Sequence, residues 1–419
     1  MKKFVFIPLL LASSIASSHD MVPATDQSAP LLITNATVHT VSDGVKANTS
    51  VLVEQGRIKA IGNNLNAAGA TVIDASGKHL YPGMVALDTQ VGMVEISMVR
   101  PTVDTYDVGD NNADLRAAAV FNPDSEIIPT LRRNGITHAQ IVPRGELLAG
   151  QSALVNLDSW TVEDAKVEAP QSLHLYWPEP KLPAKADERE KAFAEHSKAL
   201  SNIDKLFADA NSFIARKQSE PKLTHRRFEA MAGLFDGSAR LFIHADEASA
   251  IREALVLVNR YKLSAVIVGG YEAAEVADGL KAAGVAVVYP SVLSLPRHSD
   301  DNIDEAFAVP AKMAAAGIEF AIAYSGDWEA RNLPYAAGYA AAHGLGRDAA
   351  LKAITLDAAK IAGVNDMGAI KEGYRANLVL AEGDILDPLT GRIQQVFIDG
   401  RAIDLKTRSA QLYQKYLKR

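Results

Sequence analysis

The sequence predicts an α/β fold, a (β/α)8 TIM-like barrel with strand-rich segments at both chain ends. Three observations predict it. From Tyr81 to about Val364, short apolar runs alternate with helical patterns, the sign of a parallel α/β architecture. Eight such runs can be counted, enough to close a ring. Before and after this stretch the pattern changes to alternating, β-branched segments separated by Gly turns.

A chain of 419 residues has room for one large domain with a satellite, and its 48% hydrophobic and 22% charged content is that of a soluble globular protein. The net charge of -7 argues against a nucleic-acid partner, because nothing neutralises phosphates in bulk. Residues 1–18 read as an export signal. Lys2 and Lys3 form a positive start, Phe4 to Ala12 an apolar run, and Ala16 and Ser18 the small residues of a cleavage site. That run is shorter than the roughly 20 residues a membrane span needs. With no cysteine there is no lipid attachment, disulfide or thiolate chemistry. A periplasmic location follows as the expectation, with His19 to Pro30 as a flexible leader.

In chain order, Leu31 to Val41, Ser50 to Ile61 (turning at Gln55-Gly56) and Thr71 to Asp74 read as strands. Pro82-Gly83 then breaks the chain and releases Met84 to Leu87, a buried strand that ends in Asp88 and Gln90. Residues two apart on a strand share a face, so both would project into one space. The eight strands read Met84–Val91, Ile136–Val142, Ala153–Leu157, Ser172–Trp177, Leu241–Ala245, Ala265–Gly269, Val285–Tyr289 and Phe320–Tyr324. Helices are expected over 126–134, 187–216, 248–261, 273–283 and 304–316, with 187–216, charged and alanine-rich, as a solvated outer helix. Strands return at 376–380 and 395–400, and an amphipathic helix over 407–419 closes the chain.

Several stretches resemble the amidohydrolase superfamily. Tyr81-Pro82-Gly83-Met84-Val85-Ala86-Leu87-Asp88-Thr89-Gln90 is similar to its first barrel strand, Pro-Gly-(apolar)-(apolar)-Asp-x-His-x-His, without the two histidines. Gly368 to Leu380 resembles the family's Gly-x-Ile-x-x-Gly-x-x-Ala-Asp-Leu-Val, and Leu333 to Val364 its last helical pattern. Gly150-Gln151-Ser152 is similar to a stretch of the imidazolonepropionase-like branch. The resemblance implies a small β-sandwich made of residues 31–81 and 366–406, a barrel over 82–365, and a C-terminal helix over 407–419.

It also implies a metal site at the barrel mouth. Asp88 and Gln90 stand where two histidine ligands would be, and N-acetylglucosamine-6-phosphate deacetylases, which resemble the superfamily, also carry amides at this motif. His244, in Leu241-Phe242-Ile243-His244-Ala245, matches the strand-five histidine. The strand-six histidine is replaced by Gly269-Gly270, with Tyr271 and Glu272 following. Asp327 resembles the strand-eight aspartate that acts as base, with Asp246 and Asp300 as competitors. One divalent metal, zinc foremost, could be held by His244, Asp88 and Gln90; the other reading is none. Among lesser candidates, His174 either faces the lumen or packs among Leu173, Leu175 and Trp177, the preferred reading. Glu146 is a mouth carboxylate, and Arg297, His298 and Arg331 suit an anionic substrate group.

Two functions follow as expectations. The first is an exported hydrolase of a non-peptide or dipeptide-like C–N bond, with water activated by a single metal or by Asp327 alone. The second is an inactive barrel serving as a binding or assembly protein. The partner would be a small-molecule substrate, with no nucleic acid and no membrane span, and with room for a homo-oligomer or a paralogous partner.

Overall fold

The computed structural model describes residues 22–179 and 185–419, so the segment read as an export signal lies outside the described residues. Five strands open the chain: β1 (Leu31–His39), β2 (Val45–Glu54), β3 (Arg57–Gly62), β4 (Thr71–Asp74) and β5 (His79–Pro82). β2 and β3 form the hairpin expected at Gln55-Gly56, where both residues have positive φ (52° and 75°). That pair of dihedrals suits the twist of a two-residue hairpin. β1 is broken at Asn35 (φ 60°), with a register shift between Ile33 and Ala36. Its first half therefore pairs with β4, and its second half with β5, while β2 runs along the opposite edge.

The central strands are β6 (Met84–Thr89), β7 (Ile136–Ile141), β8 (Leu148–Asn156), β9 (Gln171–Tyr176), β10 (Ala239–Ala245), β11 (Ala265–Gly269), β12 (Ala286–Tyr289) and β13 (Phe320–Ile322). They pair in sequence order as a nearly closed barrel. The seam between β6 and β13 is drawn together at the mouth, where the Gln90 N–H donates to the Gly326 carbonyl (2.9 Å). Alternation decides what faces inward. Val85, Leu87, Leu154, Phe242, Val266, Val268, Val288, Ala321 and Ala323 form one buried cluster with the helix Leu356–Ala362. Their outward neighbours pack under the surrounding helices. Gly83 is required by closeness: a Cβ there would lie 2.5 Å from the Thr137 hydroxyl.

All eight expected barrel strands are present, but one runs the other way. β8 is antiparallel to both β7 and β9. The physical reason is the short link: only residues 142–147 join β7 to β8, enough for a hairpin but not for a helical crossover. The start of β8, not its end, therefore lies at the mouth.

The chain returns to the first sheet with β14 (Leu378–Glu382), β15 (Arg392–Ile398) and β16 (Arg401–Ile403). β14 pairs with β5, so both chain ends share one sheet, ordered β16-β15-β14-β5-β1-β2-β3. A buried cluster that includes Ile33, Val51, Leu80, Leu378 and Phe397 fills it.

Two local expectations are corrected. The long helix Ala186–Ser219 is not solvated all round, since Ile203, Phe207 and Ala210 form a buried stripe at helical spacing. The described part of the leader is tied down: the Ala24 N–H donates to Asp158 (3.2 Å), and Gln27 bonds the Val53 carbonyl and the Gly56 N–H (both 2.9 Å). Asp158 itself is buried between Arg132 (3.0 Å) and Arg401 (2.9 Å). No helix among the described residues is long and apolar enough to cross a membrane.

Candidate functional site

At the C-terminal end of β6 the alternation breaks. Asp88 has φ 54°, and the pairing of β6 with β7 shifts register between Ala86 and Thr89. An aspartate tolerates this left-handed backbone better than a bulky residue would. The turn buries Asp88 and Gln90 together (6% and 4% exposed). Asp88 accepts a short hydrogen bond from the Ser325 hydroxyl across the barrel seam, and Gln90 Oε1 accepts from the Arg144 guanidinium (2.9 Å).

Below them a hydrogen-bonded chain crosses the lumen. The Asp88 N–H approaches Gln140 Oε1 (3.4 Å), and Gln140 Nε2 donates to Ser152 Oγ (3.1 Å). Ser152 Oγ meets His174 Nε2 (2.8 Å), whose Nδ1 faces His244 Nε2 (2.9 Å). Two neutral imidazoles satisfy this contact, one donating and the other accepting. Aromatic neighbours fix both rings: His174 stacks on Phe242 (centroids 5.0 Å apart) and His244 on Tyr176 (4.0 Å).

Burial sets the charge of this assembly. It pushes the Asp88 carboxyl up to about 6, against the downward pull of the Ser325 hydrogen bond and Arg144; Asp246 adds to the rise. Burial, helped by Arg144, pulls His244 down to about 3, and burial with the adjacent His244 holds His174 well below the usual imidazole range. At neutral pH both imidazoles are uncharged.

The expected site residues separate into groups. Asp88, Gln90, His174 and His244 belong to the central assembly. His174 faces the lumen and is not packed among Leu173 and Leu175, because neighbours on a strand point to opposite faces; those two leucines lie in the outer cluster. Asp327 follows Ser325 on the loop after β13, half-buried. On the other side of the mouth Arg297 ion-pairs with Asp246 (2.5 Å) and Glu179 (3.4 Å), and His298 Nε2 lies at hydrogen-bond distance from Glu272 (3.0 Å). Glu146 accepts from the Tyr106 hydroxyl (2.8 Å). Arg331 lies over the Trp328 ring (4.4 Å) and donates to the Trp328 carbonyl. Gln140, Arg144, Tyr176 and Ser325 were not singled out from the sequence, and Ser152 only as part of the Gly-Gln-Ser resemblance, without a role. The available signal was a polar residue among apolar ones on a strand, as at Gln140 between Ala139 and Ile141.

The donor set does not fit a metal as it is arranged. His244 Nε2 is committed to His174, Gln90 Oε1 to Arg144 and one Asp88 oxygen to Ser325. A guanidinium already stands beside the groups that would have to bind a cation. Among the described residues no three His, Asp or Glu side chains converge as a metal-holding group. Beside Arg144, residues of the long β6–β7 segment, among them Met93 and Tyr106, wall a cavity of about 330 Å3 together with Ala149 of β8.

A barrel with titratable groups gathered at strand ends is the architecture of an enzyme with its site at the mouth. The amidohydrolase family model matches residues 179–403, more than half of the chain, and the chain belongs to this family. A solved amidohydrolase from Thermotoga maritima MSB8 superimposes with TM-score 0.78 at 23% identity, covering 89% of this chain and 99% of that one. A zinc-bound adenosine deaminase from Xanthomonas campestris gives 0.54 at 18%, covering 93% and 97%. These likenesses speak for the fold. A D-hydantoinase from Geobacillus stearothermophilus is 40% identical over 62 residues, 15% of this chain and 13% of that protein. The chain thus spans only about an eighth of this curated relative.

Proposed function

We propose that this chain is an exported hydrolase of a non-peptide or dipeptide-like C–N bond in a small molecule, and that Asp88 activates the attacking water. The observation that carries this reading is the buried Asp88 carboxyl, raised to about 6 at the barrel mouth. A base with such a value is mostly ionised at neutral pH yet binds a proton readily when a water is deprotonated. Arg144, beside Gln90, supplies positive charge for the oxyanion that forms as water attacks the carbonyl. Asp88 then returns the proton it took from the water to the leaving amine as the C–N bond breaks. The hydantoinase relative supports a small C–N substrate over a polypeptide. The basic and apolar start of the chain supports export to the periplasm.

A second reading, a binding barrel without turnover, is favoured by the same closed chain of hydrogen bonds, which leaves His244 Nε2 and Gln90 Oε1 engaged. One experiment separates the two. Mature protein, freed of metal by a chelator, is assayed against cyclic ureides and N-acyl amino acids beside Asp88→Asn. Turnover that survives chelation and disappears in the variant supports the first reading. Turnover abolished by chelation would replace Asp88 by a metal as the activator of water. A folded protein without turnover would leave the binding reading.

A further inference from the structure

A second cavity lies on the flank of the barrel. β8 changes partners along its length: residues 148–152 pair with β9 and residues 153–156 with β7. Where β9 has not yet begun, the segment before it stands in, with the Val167 N–H donating to the Leu154 carbonyl (2.9 Å). Pairing is sparse at this changeover, and a cavity of about 330 Å3 opens there. That volume is at the small end of ligand pockets, about 300–1,000 Å3.

Its chemistry has one sign. Arg116 and Lys166 are the charged residues of its lining, which includes no carboxylate. Neither cation makes an ion pair or a side-chain hydrogen bond among the described residues. In a chain of net charge -7, two unpaired cations on one small cavity form a local anion trap. Its inner wall is polar and already ordered, since Gln140 and Ser152 reach it from the lumen. Gln140 is buried (3% exposed) and spends one N–H on Ser152, so its second N–H remains to be given.

We propose that this flank cavity binds a small hydroxy-carboxylate, its carboxylate held by Arg116 and Lys166 and its hydroxyl by Gln140 and Ser152. The inference does not depend on hydrolysis at Asp88. Arg116 also lines the mouth cavity, so the two spaces share a wall, and an occupant would draw on the amide that accepts from the Asp88 N–H.

The test is calorimetric titration of the mature chain at constant ionic strength with 4-hydroxybutyrate, uncharged 1,4-butanediol and inorganic phosphate. Saturable binding of 4-hydroxybutyrate, one per chain, is expected, with none of the diol and weaker binding of phosphate. Arg116→Gln and Lys166→Gln should each weaken it about tenfold, the loss of one charge-assisted contact. Arg144→Gln, which alters only the mouth, should leave it unchanged. Both substituted cations are exposed, and an unchanged Tm confirms that each variant folds. Absence of saturable binding, equal binding of the diol, phosphate binding as tight as the carboxylate, or full affinity in the double variant would each overturn the proposal. So would loss of binding confined to Arg144→Gln.

Discussion

Ser325 donates its hydroxyl to the buried carboxylate of Asp88 across the seam where the first and last barrel strands meet. One bond therefore links the closure of the barrel to the charge state of its mouth. Its removal should be visible in both stability and activity.

The first prediction concerns pH. If Asp88 activates water, kcat/KM should fall on the acid side with a midpoint near 6. Ser325→Ala and Arg144→Gln each remove an influence that lowers this value, so both should move the midpoint upward. The Ser325 variant should move it further, since its hydrogen bond is the larger influence. A pH–rate profile of the three proteins checks this, and an unmoved midpoint counts against Asp88.

Asp88→Asn should lose activity by about 10²–10⁴-fold, the usual contribution of a general base. The same variant should be more stable at neutral pH. A carboxyl whose folded value lies above its unfolded value stabilises the protein below about pH 4, and that contribution is lost as pH rises towards 6. At pH 7 the ionised Asp88 is thus a burden on the order of 3 kcal/mol. Denaturant unfolding of wild type and variant at pH 4 and pH 7 should show their difference growing with pH.

The imidazoles act in the opposite sense. His244 and His138 are both held down to about 3 by burial, and His174 is also lowered. The unfolded chain therefore binds protons that the folded chain refuses, and stability falls as pH drops from about 6.5 towards 3. Acid unfolding should begin in that window and move to lower pH in His138→Gln, a change that leaves the His174–His244 contact intact. His244→Ala strands the facing nitrogen of His174 and should cost about 1–3 kcal/mol at pH 7.

Asp158 carries a different load. It is buried against two arginines and also holds the Ala24 N–H. Asp158→Ala removes the buried carboxylate that Arg132 and Arg401 share and should cost about 3–5 kcal/mol in chemical denaturation. A loss below 1 kcal/mol would show that water reaches this corner.

The sequence made the barrel legible because each strand is a short apolar run with a turn on either side, and all eight such runs became strands. It could not show the direction of β8, because an apolar run has no sense; only the shortness of the Val142–Leu147 link carried that information. The site was legible where a motif marked it, at Asp88, Gln90 and His244. It was opaque at Gln140, Ser152 and Ser325, whose importance comes from meeting across the lumen residues distant in sequence. His174 was misjudged by giving weight to its sequence neighbours, although strand geometry turns those away from it. The rise at Asp88 comes chiefly from burial, with Asp246 as the contributing carboxylate, and no motif marks either influence.

The pairing of β5 with β14 has a consequence for biogenesis. One edge of residues 79–82 cannot be paired until residues 378–381 have been synthesised. For most of the time the nascent polypeptide is emerging, that strand has an open flank, the kind of edge that recruits other chains. Holding the protein extended until it is complete, as export in an unfolded state would do, lets both termini arrive together. A truncation before residue 378 should therefore yield aggregates instead of a smaller soluble barrel.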